Sequence, residues 1–520
     1  MTLSAAIRNS ASSRLSSAAA AAAVALALAL LGSLAAARVF RQGWTLYYGD
    51  AEAHLNIARR IVDSRTAGAH QIGTVWLPLP HLLMAPLARR DTLWRSGMAG
   101  VAPSVCAFTL AGLFLFLAVR RLTGSPAAAL AATAVFALNP NLLYLQSAPM
   151  TEPLALACLL GLLYFLARFH DSRRWTDAAL AGSSALAGTL TRYELWFVLP
   201  FAFLFVLIRG GETRWRSAAV FAVLAGAGPA WWLAHNWYFY GDALEFWRGE
   251  WSARAIYQRS LDRGMARYPG DGDWLLAARY YLEAARLCAG LPLFWLSLAG
   301  LVAALKKYWA AAAFVLLVPA FYVMSMHSSG TPIFVPHLWP FSYYNTRYGI
   351  AWLGVAALGC AALAALAPAR WRPWCAAAIV AAAVSPWWTQ PQPEHWICWK
   401  ESEVNSAARR RLASEAAAYL EPRYRRGSGI LLSFGDLTAV LRLAGIPLRE
   451  SLHVDDRLEF EAAVARPDLF LREEWVLCTP GDRACRAVAR LQRGPRRYEC
   501  VRILASKDAP GIEIWRRIGQ

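Results

Sequence analysis

The chain has 520 residues, of which 57% are hydrophobic and only 17% are charged, and its mean hydropathy is +0.32. Soluble domains are about one quarter charged, so an ordinary soluble enzyme is excluded and an integral membrane protein is indicated. The formal net charge of +19 would suit nucleic-acid binding. However, much of the basic excess lies in short loops between hydrophobic segments, and no nucleic-acid-binding motif accompanies it.

The first hydrophobic segment is an Ala- and Leu-rich run over residues 18–37, preceded by Arg8 and Arg14. It predicts a membrane span with the N-terminus in the cytoplasm. A cleaved signal peptide is the alternative, because residues 35–37 form a small-residue cleavage site, although the apolar run exceeds the usual length of about 7 to 15 residues. Both interpretations place residues 38–95 outside, where residues 50–61 have the spacing of an interfacial helix lying on the membrane.

Further apolar segments of spanning character recur as far as residue 389. They are residues 97–119, 126–145, 153–169, 177–190, 195–208, 217–234, 291–305, 308–326, 349–366 and 374–388. With the first segment they predict about eleven transmembrane helices. The turn at residues 191–194 leaves two alternatives open, namely two short spans or one long bent helix.

Lys and Arg clusters occupy the alternate short loops, and a single topology places five such clusters inside. That topology places the loops 38–95, 236–287 and 327–348 on the opposite face, together with everything after residue 389. We therefore expect the chemistry on the outer face.

Residues 390–520 alternate helical and strand patterns, which predicts a small extracytoplasmic α/β domain after a transmembrane domain at residues 1–389. The predicted helices are 401–420, 437–443 and 483–491, and the predicted strands are 430–434, 475–478, 501–504 and 512–515. Four cysteines lie in this tail. They suggest disulfides, with Cys478–Cys485 as a local pair and Cys398–Cys500 as the remainder, although four cysteines permit three pairings.

Two carboxylates, Asp50 and Glu52, follow the first span in the sequence Tyr-Tyr-Gly-Asp-Ala-Glu-Ala-His. A helix N-terminus attracts acidic residues through its dipole, which is the alternative explanation for this pair. The position and spacing of the pair resemble the acidic motif of the GT-C glycosyltransferases, such as the protein O-mannosyltransferases and the aminoarabinose transferase of lipid A. Three further positions agree with that pattern: Glu152 in the next outer turn, Arg192 after a short fifth span, and Arg347 in a late outer loop.

The resemblance implies an all-α polytopic GT-C-like fold and transfer of a sugar from a polyprenyl-phosphate carrier. Such a transfer needs a base for the acceptor proton, and Asp50 is our candidate. A cation must also face the departing phosphate, and Arg347 is the first candidate and Arg192 the second, because a guanidinium matches phosphate geometry.

Further site candidates are Glu52 and Glu152 as catalytic carboxylates. A divalent ion, Mg²⁺ or Mn²⁺, held by Asp50, Glu52 or Glu152 is an alternative partner for the phosphate. Substrate-binding candidates are His54, His81 and Tyr348.

Each candidate also has a purely structural explanation. Arg347 would then be an interfacial anchor, Glu152 would begin a helix, and Arg192 would be neutralised by Glu194. Isolated histidines such as His54 and His81 rarely define a site.

The sequence therefore predicts a multi-pass enzyme of the bacterial inner membrane, with a cytoplasmic N-terminus and an extracytoplasmic tail. Its expected partners are a polyprenyl-phosphate-linked sugar, a glycan, lipid or protein acceptor and membrane lipids, without nucleic acid. A secondary transporter or lipid-glycan flippase is the main rival, but ionisable residues are sparse within the predicted spans. A non-catalytic scaffold is the second rival.

Overall fold

The computed structural model describes residues 3–518 apart from Phe434, Asp436 and residues 494–496. The chain divides into two compact units. The first, here called the helical unit, comprises the residues up to Gln42, Ser104–Ser147 and Thr151–Glu401. The second, here called the α/β unit, comprises Gly43–Pro103, Ala148–Met150 and the residues from Ser402 onward.

The described helices and strands are numbered here in chain order. The helices are α1 Leu3–Arg41, α2 Gly49–Val62, α3 Leu79–Ala88, α4 Asp91–Ser96, α5 Met98–Thr123, α6 Pro126–Ala137, α7 Pro140–Leu145, α8 Glu152–Ser172, α9 Trp175–Thr189, α10 Glu194–Arg209, α11 Arg214–Tyr240, α12 Glu245–Arg248, α13 Ala253–Asp262, α14 Trp274–Ala289, α15 Leu291–Lys307, α16 Trp309–His327, α17 Trp352–Leu366, α18 Arg372–Thr389, α19 Ile397–Leu420, α20 Thr438–Ala444, α21 Leu458–Ala465, α22 Pro467–Phe470 and α23 Arg483–Ala489. The strands are β1 Ile430–Leu432, β2 Ser451–Leu452, β3 Trp475–Cys478, β4 Arg497–Leu504 and β5 Ile512–Ile518.

Each predicted span overlaps one or two helices, so the polytopic helical class is confirmed. Among the described residues, six helices are long and apolar enough to cross a membrane, and a seventh results if the pair α14 and α15, bent by 116°, counts as one span. The other apolar helices at predicted spans, such as α6, α9 and α10, are shorter.

Tight turns occur at two places among the predicted spans. At residues 191–194 the chain forms two separate helices, α9 and α10, rather than one bent helix. The predicted span 126–145 is interrupted between α6 and α7, where the Asn139 side chain accepts hydrogen bonds from the backbone of Asn141 and Leu142. The physical reason is Pro140, which disfavours helical geometry at the residue before it and begins a new helix.

Of the six candidate spans in the described residues, α17 together with the turn before it is the most enclosed. In this segment, Thr346–Leu366, 89% of the apolar stretch is buried. Its neighbour α15 approaches very closely, because Gly300 faces Gly359 and a Cβ atom at Gly300 would lie 2.3 Å from the Gly359 carbonyl carbon. Small residues permit this approach between apolar helices, where packing replaces the hydrophobic effect as the source of association.

The α/β unit has a five-stranded sheet in the order β2-β1-β3-β5-β4. β1 is parallel to β2 and β3, whereas β5 is antiparallel to β3 and β4. The sequence predicted β1, β3 and the β4–β5 hairpin and missed the short β2. The predicted end of the first strand at Phe434 lies outside the described residues.

Helix α2 belongs to the core of the α/β unit, where Leu55 and Ala58 share a hydrophobic cluster with Leu412 and Trp475. The expectation of an interfacial helix on the membrane is wrong, because the stretch from His54 to Arg60 is buried on all sides. Glu52, Arg59 and Arg60 are buried in ion pairs within the unit, which the hydrophobic pattern alone does not reveal.

The local disulfide Cys478–Cys485 is formed and joins the end of β3 to α23. The other pairing considered, Cys398 with Cys500, is not formed. Cys398 instead lies buried with its Sγ atom 3.9 Å from that of Cys288.

Candidate active site

Two arginines converge on one carboxylate in the helical unit. Glu152 Oε1 lies 3.1 Å from Arg192 Nη1 and 3.1 Å from Arg347 Nε. Three of the sequence-predicted site residues, widely separated along the chain, therefore form one largely buried cluster.

The local structure explains why these side chains meet. Glu152 is the first residue of α8, followed by Pro153, and its carboxylate lies where the helix dipole favours negative charge. Arg192 occupies the tight turn between α9 and α10, and Arg347 lies in the 3₁₀ turn Thr346–Ala351 that leads into α17. All three side chains thus come from helix ends.

Arg192 is surrounded by oxygen acceptors. Its Nε atom lies 2.5 Å from Glu194 Oε1, and it donates hydrogen bonds to Thr151 Oγ1 at 2.8 Å and to the Tyr322 hydroxyl at 3.1 Å. Burial by itself would lower the pKa of Arg192, but the neighbouring Glu194, Tyr322 and Glu152 raise it well above its usual range. Arg192 is therefore a permanent cation.

The ring of Tyr348 contacts both guanidinium groups. Its centroid is 5.2 Å from Arg192 Cζ and 5.1 Å from Arg347 Cζ, and it stacks on Tyr322 at 4.7 Å. Cation–π contact of this kind favours Arg over Lys at both positions.

Glu401 is a member of the cluster that the sequence did not single out. Its Oε1 atom accepts a hydrogen bond from Arg347 Nη1 at 3.1 Å, and its side chain is 2% exposed. In sequence it looked like the first residue of an ordinary amphipathic helix. The hint in the sequence was a pair of charged residues, Lys400 and Glu401, directly after Trp399.

Asp50 and Glu52 lie in the first turn of α2, in the α/β unit. Asp50 is half-buried. Glu52 receives a bidentate ion pair from Arg442, with Nε to Oε1 at 2.7 Å and Nη2 to Oε2 at 2.9 Å. Asn56 also donates to Glu52 Oε1, at 3.3 Å, so the Glu52 carboxylate is tied into the unit.

His54 and His81 are buried and lie next to each other in the α/β unit. His54 Nδ1 is 2.9 Å from His81 Nε2, and the His54 ring packs against Trp76 at 4.7 Å. Burial, together with the neighbouring His54 and Arg60, lowers the pKa of His81 well below its usual value. His81 is therefore neutral at physiological pH.

The surroundings of Glu52 and Glu152 do not suit a divalent cation. Both carboxylates face guanidinium groups, which repel a dication and take up both oxygens of Glu52 and the Oε1 atom of Glu152. Among the described residues, the three-ligand cluster with metal-like spacing is Cys478, Asp482 and Cys485, whose sulfurs are joined in the disulfide. We therefore derive no step through a metal.

Known proteins resemble this chain in part of its sequence and in its fold. Residues 94–232 match the family described as dolichyl-phosphate-mannose-protein mannosyltransferase, a region that includes Glu152 and Arg192. The structure of ArnT from Cupriavidus metallidurans bound to undecaprenyl phosphate is similar, with a TM-score of 0.53 and 12% identity over 93% of this chain and 97% of that chain. ArnT in the apo state gives a TM-score of 0.52 and 14% identity over 93% of this chain and 97% of that chain.

The chain has the GT-C glycosyltransferase fold. The GT-C resemblance predicted from the acidic motif and the span order is thereby confirmed. Sequence comparison with curated proteins gives no significant match.

Proposed function

We propose that this GT-C protein is a membrane glycosyltransferase that moves a sugar from a polyprenyl-phosphate carrier onto a cell-envelope acceptor. The fold, the mannosyltransferase family match and the undecaprenyl phosphate bound to ArnT support the enzyme class and the carrier. The acceptor is a lipid glycan, a polysaccharide or a protein hydroxyl.

The observation that carries this proposal is the pair of arginines around Glu152. Arg192 and Arg347 have only 15% and 7% exposed side chains, and both lie against carboxylates and the ring of Tyr348. Preorganised buried cations stabilise developing negative charge strongly, because they need no rearrangement during the reaction. A departing polyprenyl phosphate is the anion that such a pair fits in this fold.

In the proposed reaction, the acceptor oxygen forms a bond to the anomeric carbon. The bond from that carbon to the phosphate oxygen breaks, and its electron pair leaves with the carrier phosphate. Asp50 takes the proton of the acceptor hydroxyl, and the anomeric centre inverts through an oxocarbenium-like transition state. Arg347 and Arg192 stabilise the phosphate.

The remaining candidates have supporting roles in this proposal. Glu152 orients the two arginines, Tyr348 supports their guanidinium faces, and Glu52 fixes the first turn of α2 through Arg442. We propose that His54 and His81 form a buried pair that shapes the same part of the α/β unit.

We further propose that the transfer takes place at the outer face of the bacterial inner membrane, with the N-terminus in the cytoplasm and the tail outside. The distribution of Lys and Arg among the short loops supports this orientation. Nucleotide sugars are absent from that compartment, so a lipid-linked donor suits it.

The test is Arg347→Gln in a transfer assay with purified protein and short-chain polyprenyl-phosphate sugars. We expect a loss of roughly 10²- to 10³-fold in kcat, the range seen when one preorganised donor is removed from a developing anion. Arg254→Gln, at an exposed position of α13, is the matched control and should keep full activity. Unchanged transfer in Arg347→Gln would refute the role of the arginine pair.

A further inference from the structure

The turn that carries Arg347 is fixed by a carboxylate from a distant helix. Glu401, in the second turn of α19, accepts hydrogen bonds from the backbone N–H of Asn345 at 3.1 Å and of Thr346 at 2.7 Å. The Thr346 hydroxyl also donates to Glu401 Oε2. The carboxylate thus satisfies backbone donors at the start of the 3₁₀ turn, which lack partners within the turn itself.

The same carboxylate contacts the functional side chain. Arg347 Nη1 lies 3.1 Å from Glu401 Oε1, while Arg347 Nε lies 3.1 Å from Glu152 Oε1. Two carboxylates therefore hold two different nitrogens of one planar guanidinium. This fixes the plane as well as the position of the group.

The turn also has an uncommon backbone conformation. Asn345 has φ +54°, a left-handed conformation that few residues other than Gly adopt. Its side chain donates to the carbonyl of Pro332 at 3.0 Å. On the other side of the turn, the Cys288 thiol lies 3.2 Å from the carbonyl oxygen of Thr346.

Glu401 is itself held in place. The backbone N–H of Cys398, at the start of α19, donates to the side chain of Asn141 at 2.9 Å. Asn141 in turn donates to the carbonyl of Cys288 at 3.0 Å. The beginning of α19 is therefore connected to the segments that surround the Arg347 turn, and the carboxylate is preorganised rather than recruited.

We propose that Glu401 is a positioning residue that orients Arg347 toward the carrier phosphate. This inference rests on the proposed function. Glu401 acts through Arg347 and does not itself touch the reacting atoms, so its removal should lower kcat more than it changes the donor KM.

The test is a double-mutant cycle with Glu401→Gln and Arg347→Gln. Gln keeps the shape of the side chain but replaces one acceptor oxygen by an NH₂ group that faces other donors. We expect Glu401→Gln to lower kcat by about 10- to 100-fold, as for a group misplaced by about 1 Å, and to change the donor KM much less. In the Arg347→Gln background, Glu401→Gln should lower kcat almost no further, because the two residues act as a unit.

Glu401→Asp keeps the charge but shortens the side chain, so partial activity is expected. It also provides a second arm if Glu401→Gln fails to fold. Glu415→Gln on the same helix is the control, since that carboxylate is 48% exposed and pairs only loosely with Arg411 at 3.9 Å.

The outcomes separate the two claims. Full kcat in Glu401→Gln, or an equal loss with and without Arg347, would overturn the positioning role while leaving the transferase intact. Absence of transfer in the wild-type protein would overturn the proposed function, and the positioning role with it.

Discussion

The ion pair between Glu52 and Arg442 shows how a residue of the proposed acidic motif supports the fold. Both side chains are largely buried, at 8% and 11% exposure, and the pairing is bidentate. Removing one partner of such a pair leaves the other charge buried without compensation. That loss is much more costly than the net gain from the pair itself.

We predict that Arg442→Met lowers the free energy of unfolding by about 3–5 kcal/mol. Arg449→Met is the matched control, because Arg449 pairs with Asp63 at 2.7 Å but is 60% exposed, and exposed pairs contribute only about 0–1 kcal/mol. Denaturant unfolding of the purified protein measures both. Equal losses in the two variants would show that Arg442 has no special role.

His453 gives a pH dependence with a definite sign. Burial, and then the nearby positive charges of Arg60 and Arg65, lower the pKa of His453 well below its usual value. As the pH falls through the unfolded-state pKa of about 6.5, the unfolded chain binds a proton that the folded chain does not. The His453 contribution to stability is therefore present above that pH and lost below it.

We predict that the unfolding temperature of the wild-type protein falls more between pH 7.5 and 5.5 than that of His453→Asn. The difference in slope is the informative quantity, because the substitution also changes the absolute stability. Parallel slopes for the two proteins would contradict a neutral buried His453.

At the scale of elements, a very close helix contact in the helical unit is the glycine pair between α15 and α17. A Cβ atom at Gly300 would lie 2.3 Å from backbone atoms of Gly359, which have no flexible side chain to move aside. The two helices would have to separate, and each would lose contacts along the α17 surface.

Gly300→Ala should therefore destabilise the protein by about 1–3 kcal/mol, the usual cost of overpacking. Gly226→Ala in α11 is the control, because a Cβ atom there meets nothing within 4 Å, and replacing a helical Gly by Ala gains about 0.5–1 kcal/mol. Thermal unfolding in detergent distinguishes the two variants. A Gly300→Ala protein as stable as the wild type would show that α15 and α17 are more loosely packed.

The helices at the predicted spans could be predicted from the sequence because long apolar runs have few alternative structures in a membrane. The interruption at Asn139 and Pro140 was not predicted, although the proline marks it. Strand β2, Ser451–Leu452, was missed because two residues carry no periodic pattern.

At the scale of the whole molecule, the acidic motif and the two arginines were found through their positions between spans, which is a local property of the sequence. Their mutual contacts were not. Arg347 meets Glu152 across 195 residues of sequence and Glu401 across 54, and no local pattern encodes such pairs. The ion pair of Glu52 with Arg442, across 390 residues, was missed for the same reason.

The central claim is that this GT-C protein transfers a sugar from a polyprenyl-phosphate carrier with Asp50 as the base. The most direct measurement is turnover of labelled short-chain polyprenyl-phosphate sugars by the purified wild-type protein, Asp50→Asn and the exposed control Asp508→Asn. We predict glycosylated product and free carrier phosphate for the wild type and Asp508→Asn, a loss of about 10²- to 10⁴-fold in Asp50→Asn, and no dependence on EDTA. If the carrier stays intact with every donor and moves across proteoliposomes, the proposed transferase function is contradicted. If Asp50→Asn keeps full activity, the role of Asp50 as the general base is contradicted.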